Sequence, residues 1–356
     1  MVFLFYFCRY KDRQNKTKTA LETRRIVQDG LKIIFPLLLG SLILWWMYRD
    51  FDWSGLWQAL ESGMDWTWMW ISMPFGILAQ VLRAVRWRQA LLPLRERPRL
   101  LSCVHAVFLS YASSLVIPRV GEVLRCGVLK KYDGIHFSKS LGTVVTERMV
   151  DALVMLVLSA ATVLLQLRVF SVFFAETGIS FAELAGRFSA AGYWVTAVCL
   201  LVLLAFLVTL ARRLSWWGYT RGVLHNVTDG ILSLRNVRNI PLYVFYSLGI
   251  WVAYFLHFYL TFYCFSYTSG LGITAALIAF VVGSFAVLVP TPNGAGPWHF
   301  AVKTILVLYG VGESDGVMFV LIVHTLQTLL VILLGVYAVL ALAFTRQRQP
   351  VGRLGQ

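Results

Sequence analysis

Apolar residues in this chain gather into runs of membrane length, and short polar segments interrupt them. A helix needs about 20 apolar residues to cross a hydrocarbon core of roughly 30 Å. Leu242–Phe265 and Val317–Phe344 meet that requirement, and Val195–Leu210 lies within a third such segment, Ala190–Leu210. The pattern predicts spanning helices at Ile33–Tyr48, Trp66–Leu82, Ser140–Gln166, Ala190–Leu210, Leu242–Phe265 and Val317–Phe344. Two further apolar stretches are broken in the middle. The first runs from Leu101 to Lys131 and breaks at Pro118-Arg119-Val120-Gly121-Glu122. The second runs from Ile273 to Tyr309 and breaks over Pro290–His299. Backbone exposed at such a break survives at membrane depth only inside protein or beside a water-filled cavity. These stretches are therefore expected to be re-entrant helical hairpins, over about 101–131 and 273–309.

The fold class that follows is an all-α polytopic membrane protein. It has about six full spans and two hairpins, eight hydrophobic elements in all. The order is span, span, hairpin, span, and then the same again from the opposite side. That is the arrangement of an inverted repeat, a common plan in secondary transporters. Residues 33–344 form a single membrane domain between a basic tail, 1–32, and a short tail, 345–356.

Composition agrees: 58% of residues are hydrophobic and only 14% are charged, with a mean hydropathy of +0.71. The net charge of +15 would suit nucleic acid, but no groove-reading motif accompanies it. Its placement has another explanation. Lysines and arginines group at Arg9–Lys32, Arg83–Arg99, Arg119–Lys139, Arg212–Arg238 and Arg346–Arg353, while the loops between stay poor in them. This is the positive-inside signature, which puts both termini in the cytoplasm of a cell (inner) membrane. It also suits contact with anionic lipids of the inner leaflet.

The two breaks concentrate the candidate chemistry. From Arg119 to Lys131 a helix extends about 18 Å at 1.5 Å per residue, so its first turn would sit near the midplane. Exposed N–H groups there carry partial positive charge and favour a phosphate or carboxylate. Arg119 and Arg125 can add charge-assisted hydrogen bonds, and Gly121, Gly294 and Gly296 permit close backbone approach. Asn293 and His299 complete the candidate headgroup set at the second break. Glu122 shares a helix face with Arg119 and Arg125. It either joins a self-neutralising cluster that pins the hairpin or contacts the ligand. Glu147 and Asp151, four residues apart and flanking Arg148, either face the bundle interior and pair with Arg119, Arg125 or Arg86, or form an acidic first helical turn near the interface. Arg83, Arg86 and Arg88, just past a span, are expected to snorkel to headgroups, with Arg86, next to Trp87, singled out as the candidate for the network. His299, in the first turn of its half-helix, is either a titrating group near neutral pH or a packing residue.

Enzyme chemistry finds no foothold. HExxH, Walker A and GxSxG patterns are all missing from the sequence, so neither catalysis nor a cofactor is expected. Five cysteines without paired spacing give no reason to expect a disulfide framework or a metal site.

The residues at the breaks resemble the transmembrane domain of lysylphosphatidylglycerol synthases, a flippase-like membrane family. The match is carried by Arg86-Trp87, by Pro118-Arg119-Val120-Gly121-Glu122 with Arg125, and by Thr146-Glu147-Arg148 with Asp151. Pro290-Thr291-Pro292-Asn293-Gly294-Ala295-Gly296 with Gly310 completes it. The resemblance implies movement of phospholipid between leaflets, without the soluble domain that attaches an amino acid. The family's second break commonly carries Gly-Gly and then an acid. Here Asn293 replaces one glycine and His299 stands where the acid is expected.

Membrane lipids, as anionic phospholipid or lipid-linked molecules, are thus the expected partners. An accessory subunit of a lipid- or glycan-modifying enzyme is the alternative, and a membrane-embedded lipid transferase a weaker third.

Overall fold

The computed structural model describes residues 63–117, 120–165, 239–289 and 291–347, with Val237 and positions 41, 42, 44, 45, 48 and 49. The expected span over Ala190–Leu210 and most of Ile33–Tyr48 lie outside the described residues, as do Pro118, Arg119 and Pro290.

Described regular structure is entirely helical. Eight helices are labelled α1 to α8: Trp66–Leu91, Leu100–Ser114, Val120–Asp133, Phe137–Leu165, Ile240–Tyr259, Gly272–Ala286, Pro297–Leu308 and Glu313–Ala343. Among the described residues, three helical segments have both the length and the apolarity to cross a membrane: Trp66–Leu94, Ile240–Cys264 and Glu313–Ala343. α4 has 29 residues, about 44 Å at 1.5 Å per residue. It carries Lys139, Glu147, Arg148 and Asp151 along that length.

Local sequence explains the ends of the spans. Asp65 caps α1 by accepting from the Thr67 N–H at 2.9 Å. Asn239 does the same for α5, accepting from the Leu242 N–H at 3.0 Å, with Pro241 in the first turn. Each satisfies a donor that the helix itself cannot. α1 continues nine residues beyond the predicted end at Leu82 and reaches Leu91. Arg83 and Arg86, read as interfacial, are part of its buried face, and Arg88 is half-buried with its Nε on the Pro98 carbonyl, so they do not terminate it.

The broken stretches fold as paired short helices. α2 and α3 contain 15 and 14 residues, roughly 22 and 21 Å, too short for a 30 Å core. Their outer ends are tied together by Arg99. Its backbone N–H and Nε donate to the Asp133 carboxylate at 3.0 and 2.6 Å, and its Nη2 donates to the Tyr132 carbonyl at 2.9 Å. Near the break, Gly121 lies against the Ser110 backbone, so a Cβ at this position would fall 2.0 Å from the Ser110 carbonyl oxygen. α6 and α7, with 15 and 12 residues, form the second pair. Gly283 of α6 sits under Trp298 and Val302 of α7.

Two apolar clusters hold these elements. One is aromatic, with Phe258, Phe262, Phe265 and Phe319 joining α5 to α8 and to the first half of α1. Edge-to-face contacts dominate it, as between Phe262 and Phe319 at 5.2 Å and Phe258 and Trp298 at 6.0 Å. The other gathers Trp87, Leu91, Val107, Cys126, Leu129 and Val144 from α1 to α4. α1 and α5 form the most extensive helix pair, and α8 crosses α2 where Gly335 meets Ala112.

The Gly121 contact generates a stability prediction. Gly121→Ala places a methyl group against immobile backbone, an overpacking that typically costs about 1–3 kcal/mol. A lowered thermal midpoint in detergent, relative to Gly127→Ala, is the expected result, since nothing lies within 4 Å of a Cβ at Gly127.

Candidate functional site

Charged side chains converge where α1, α3, α4 and α5 meet. Helical spacing makes the match: Arg83 and Arg86 share one face of α1, and Glu147 and Asp151 share one face of α4. Arg86 and Glu147 are completely buried, Arg125 and Arg83 are 1% and 2% exposed, and Asp151 is 5% exposed.

Asp151 is the firmly held acid. It accepts from Arg83 Nη1 at 2.6 Å and from Arg86 Nη2 at 2.8 Å. Arg148 Nη1 stands 3.6 Å away from it. Arg86 also donates through Nη1 to the Ser247 hydroxyl of α5 at 3.2 Å. Glu147 is held differently. Arg125 Nη2 is 2.8 Å from one of its oxygens and Arg86 Nε 3.5 Å from the other. These contacts are ionic, because neither oxygen receives an aligned N–H.

Aromatic rings line the cluster and shield the guanidinium faces. Arg125 lies 4.6 Å from the Trp87 ring, whose Nε1–H donates to the Thr143 hydroxyl at 3.0 Å. Arg83 lies 5.9 and 6.0 Å from the rings of Tyr111 and Tyr254, and Tyr254 donates its hydroxyl proton to Tyr111 at 3.0 Å. Arg86 is 5.7 Å from Tyr243.

The charges do not balance. Among the described residues, Arg83, Arg86 and Arg125 are offset in the buried core only by Glu147 and Asp151. One positive charge remains in excess. Nε of Arg83 and Nε of Arg125 are also buried without a hydrogen-bond partner. At the edge, Arg148 Nε pairs with Glu122 at 2.8 Å, with side chains 42% and 34% exposed, so this pair forms the wetter rim. The arrangement suits an anion that can accept from arginine forks in a dry setting.

The positions read from sequence are distributed in three ways. Arg86, Arg125, Glu147, Arg148 and Asp151 come together, with Glu147 on Arg86 and Arg125, one of the pairings the sequence left open. Glu122 pairs with Arg148, not Arg125, because Arg125 turns inward to Glu147 and Trp87. Gly121 serves contact between α2 and α3 at the Ser110 carbonyl, not approach by a ligand. Arg83 corrects the snorkelling expectation, since the continued α1 carries it into the core beside Asp151.

The second break is a separate structure in which Asn293 and His299 find partners, while the buried Thr291 hydroxyl has none among the described residues. Asn293 donates through Nδ2 to the Thr328 hydroxyl at 2.8 Å and accepts at its carbonyl from His324 Nε2 at 3.2 Å. Asn293, Gly294 and Gly296 have φ of 52°, 72° and 91°, a left-handed backbone that glycine and asparagine tolerate best. His299 is buried, and its Nδ1 accepts from the Gly296 N–H at 3.2 Å. It thereby takes up the donor that an incoming anion was expected to meet. This break docks on α8 at His324 and Thr328, whereas α2 meets α8 at Gly335. Seven residues of helix place these contacts about 10 Å apart.

Sequence reading missed Arg83, Tyr111 and Tyr254. The signal available for Arg83 was its i,i+3 spacing from Arg86, complementary to the acidic i,i+4 pair on α4. Tyr111 and Tyr254 left none beyond their places in apolar runs. Among the described residues no group of three or more metal-ligating side chains occurs.

A polytopic helical bundle with paired short helices and a buried, cation-rich charge cluster defines the class: an integral membrane protein built around an internal polar site. The chain belongs to the lysylphosphatidylglycerol synthase TM region family, whose profile matches residues 33–335. Nothing matches among curated proteins or solved structures.

Removing the best-held acid tests the network. Asp151→Ala strands Arg83 and Arg86, and loss of one partner from a buried ion pair costs about 3–5 kcal/mol. Asp151→Ala is expected to unfold at markedly lower temperature, and Arg83→Gln in the same chain to restore part of the loss. Equal midpoints for wild type and Asp151→Ala would show that the network carries no such energy.

Proposed function

We propose that this protein translocates, between leaflets, an anionic phospholipid or lipid-linked molecule whose headgroup engages the buried Arg83–Arg86–Arg125 cluster while the acyl chains stay in lipid. One observation carries the reading: a dry site holds an excess arginine charge and unpartnered guanidinium nitrogens that no described protein anion satisfies. Family membership, which links the chain to phospholipid handling, points the same way.

Several features favour alternating access by an inverted repeat. The described order, a long helix, two short helices and a long helix, occurs twice. Exchanging α1 with α5, α2 with α6, α3 with α7 and α4 with α8 maps most helix contacts onto other contacts: α2–α8 onto α4–α6, and α3–α4 onto α7–α8. The cluster lies at the seam between these halves, where Arg86 meets Ser247 and Tyr111 meets Tyr254. Rocking one half against the other opens the site to one leaflet at a time. The Glu122–Arg148 rim supplies the passage, because its side chains are the accessible members of the network. On this reading the protein sits in the cell membrane with both termini cytoplasmic, and it performs no covalent chemistry.

Reconstitution tests this directly. In phosphatidylcholine vesicles containing fluorescent phosphatidylglycerol, the full chain is expected to speed transfer from the inner to the outer leaflet, read by a membrane-impermeant quencher. Arg125→Gln should slow it at least tenfold, about 1.4 kcal/mol in the barrier. Labelled phosphatidylcholine should cross more slowly than the anionic lipid. Transfer no faster than in protein-free vesicles would overturn the reading.

A further inference from the structure

The two buried acids of the cluster are not equivalent, and the difference assigns them separate tasks. Asp151 accepts charge-assisted hydrogen bonds from two arginines. Those bonds fix α1 to α4. Glu147 is equally buried, yet neither of its oxygens accepts an aligned hydrogen bond, and it rests on Arg125 and Arg86 through ionic contact alone. Charge-assisted hydrogen bonds of good geometry are the strong ones, so Glu147 is the acid that a competing oxyanion displaces more readily.

We infer that Glu147 is an exchangeable internal anion: it occupies Arg125 and Arg86 when the site is empty and yields them to the phosphodiester of a lipid headgroup. The inference rests on the translocation reading above and names the group that headgroup must replace. A phosphodiester suits the exchange because its two free oxygens present one negative charge to planar guanidinium donors, much as a carboxylate does. Arg125 offers a further reason for exchange: its Nε is buried without a partner and can donate to a second oxyanion. The displaced carboxylate has somewhere to go. Tyr243 of α5 presses its ring toward Arg86, and its buried hydroxyl has no hydrogen-bond partner. A swing of Glu147 toward α5 thus reports headgroup arrival to the opposite half of the molecule. Return of Glu147 to the arginines then expels the headgroup, which gives the site a built-in means of release.

The test separates this role from a purely structural one. Glu147→Gln removes the competing charge and leaves a second buried arginine uncompensated. In phosphatidylcholine micelles the variant should unfold at lower temperature than wild type. Added phosphatidylglycerol should restore it, by a larger shift than wild type shows. Its affinity for fluorescent phosphatidylglycerol should rise by roughly tenfold, while its leaflet transfer slows because release is impaired. Glu147→Asp, which withdraws the charge by one methylene, should move each readout in the same direction by less, and it serves if the glutamine variant does not fold. Destabilisation that anionic lipid fails to correct, or weaker lipid binding by both variants, would overturn the exchange. Rescue by inorganic phosphate but not by phosphatidylglycerol would overturn the lipid headgroup as the displacing group. If Arg125→Gln leaves wild-type transfer unchanged, translocation through this cluster falls; if only the Glu147 effects are missing, the exchange falls alone.

Discussion

The structure depends on keeping arginine charge in a place that water scarcely reaches. Moving a guanidinium out of water costs several kcal/mol even after relaxation, and the cost is recovered only through close anions and satisfied donors. Here α1 brings Arg83 and Arg86, α3 brings Arg125, and α4 answers with Glu147 and Asp151. This requirement fixes the mutual register of three helices. It also explains why α1 does not stop at its first arginine, and why Trp87 sits fully buried between the Arg125 face and the Thr143 hydroxyl.

A purely structural network would be expected to balance itself. Among the described residues, this one retains an arginine in excess and leaves guanidinium nitrogens without partners, features that weaken a scaffold but suit a receptor for anions. The aromatic lining has the same double character. Tyr111, Tyr254 and Tyr243 exclude water from the cluster while presenting hydroxyls at its boundary with α2 and α5. Polar contacts across that boundary, Arg86 to Ser247 and Tyr254 to Tyr111, are few and individually modest.

The two breaks, both marked by proline and glycine, serve different ends. The first leads into α3 and delivers Arg125 to the charge network, with Gly121 allowing α2 and α3 to touch. The second is closed on itself: His299 caps its own helix, and Asn293 is bound to Thr328 and His324. An acid at position 299 would introduce a second buried charge there. Histidine instead lends a neutral acceptor to the Gly296 N–H, which is consistent with a hinge or brace and not a second anion site.

Much of the plan was legible in the chain itself. Membrane class, the positions of the helices and the two paired-helix stretches follow from apolar run length and from Pro and Gly at the breaks, because in lipid the backbone must satisfy itself locally. Spacing also marked Glu147 and Asp151 as interior residues with Arg86 and Arg125 among their candidate partners, since ionisable groups at that depth are too costly to face lipid. Which acid meets which arginine was not legible. Glu122 shares a face with Arg125 on its own helix, yet tertiary packing turns Arg125 to Glu147 and leaves Glu122 to Arg148. Arg83 looked like an interfacial residue until α5 and α2 closed over it with Tyr254 and Tyr111. Sequence determines where along each helix a charge sits; only the assembled bundle decides its partner, because that depends on how the helices are rotated against one another.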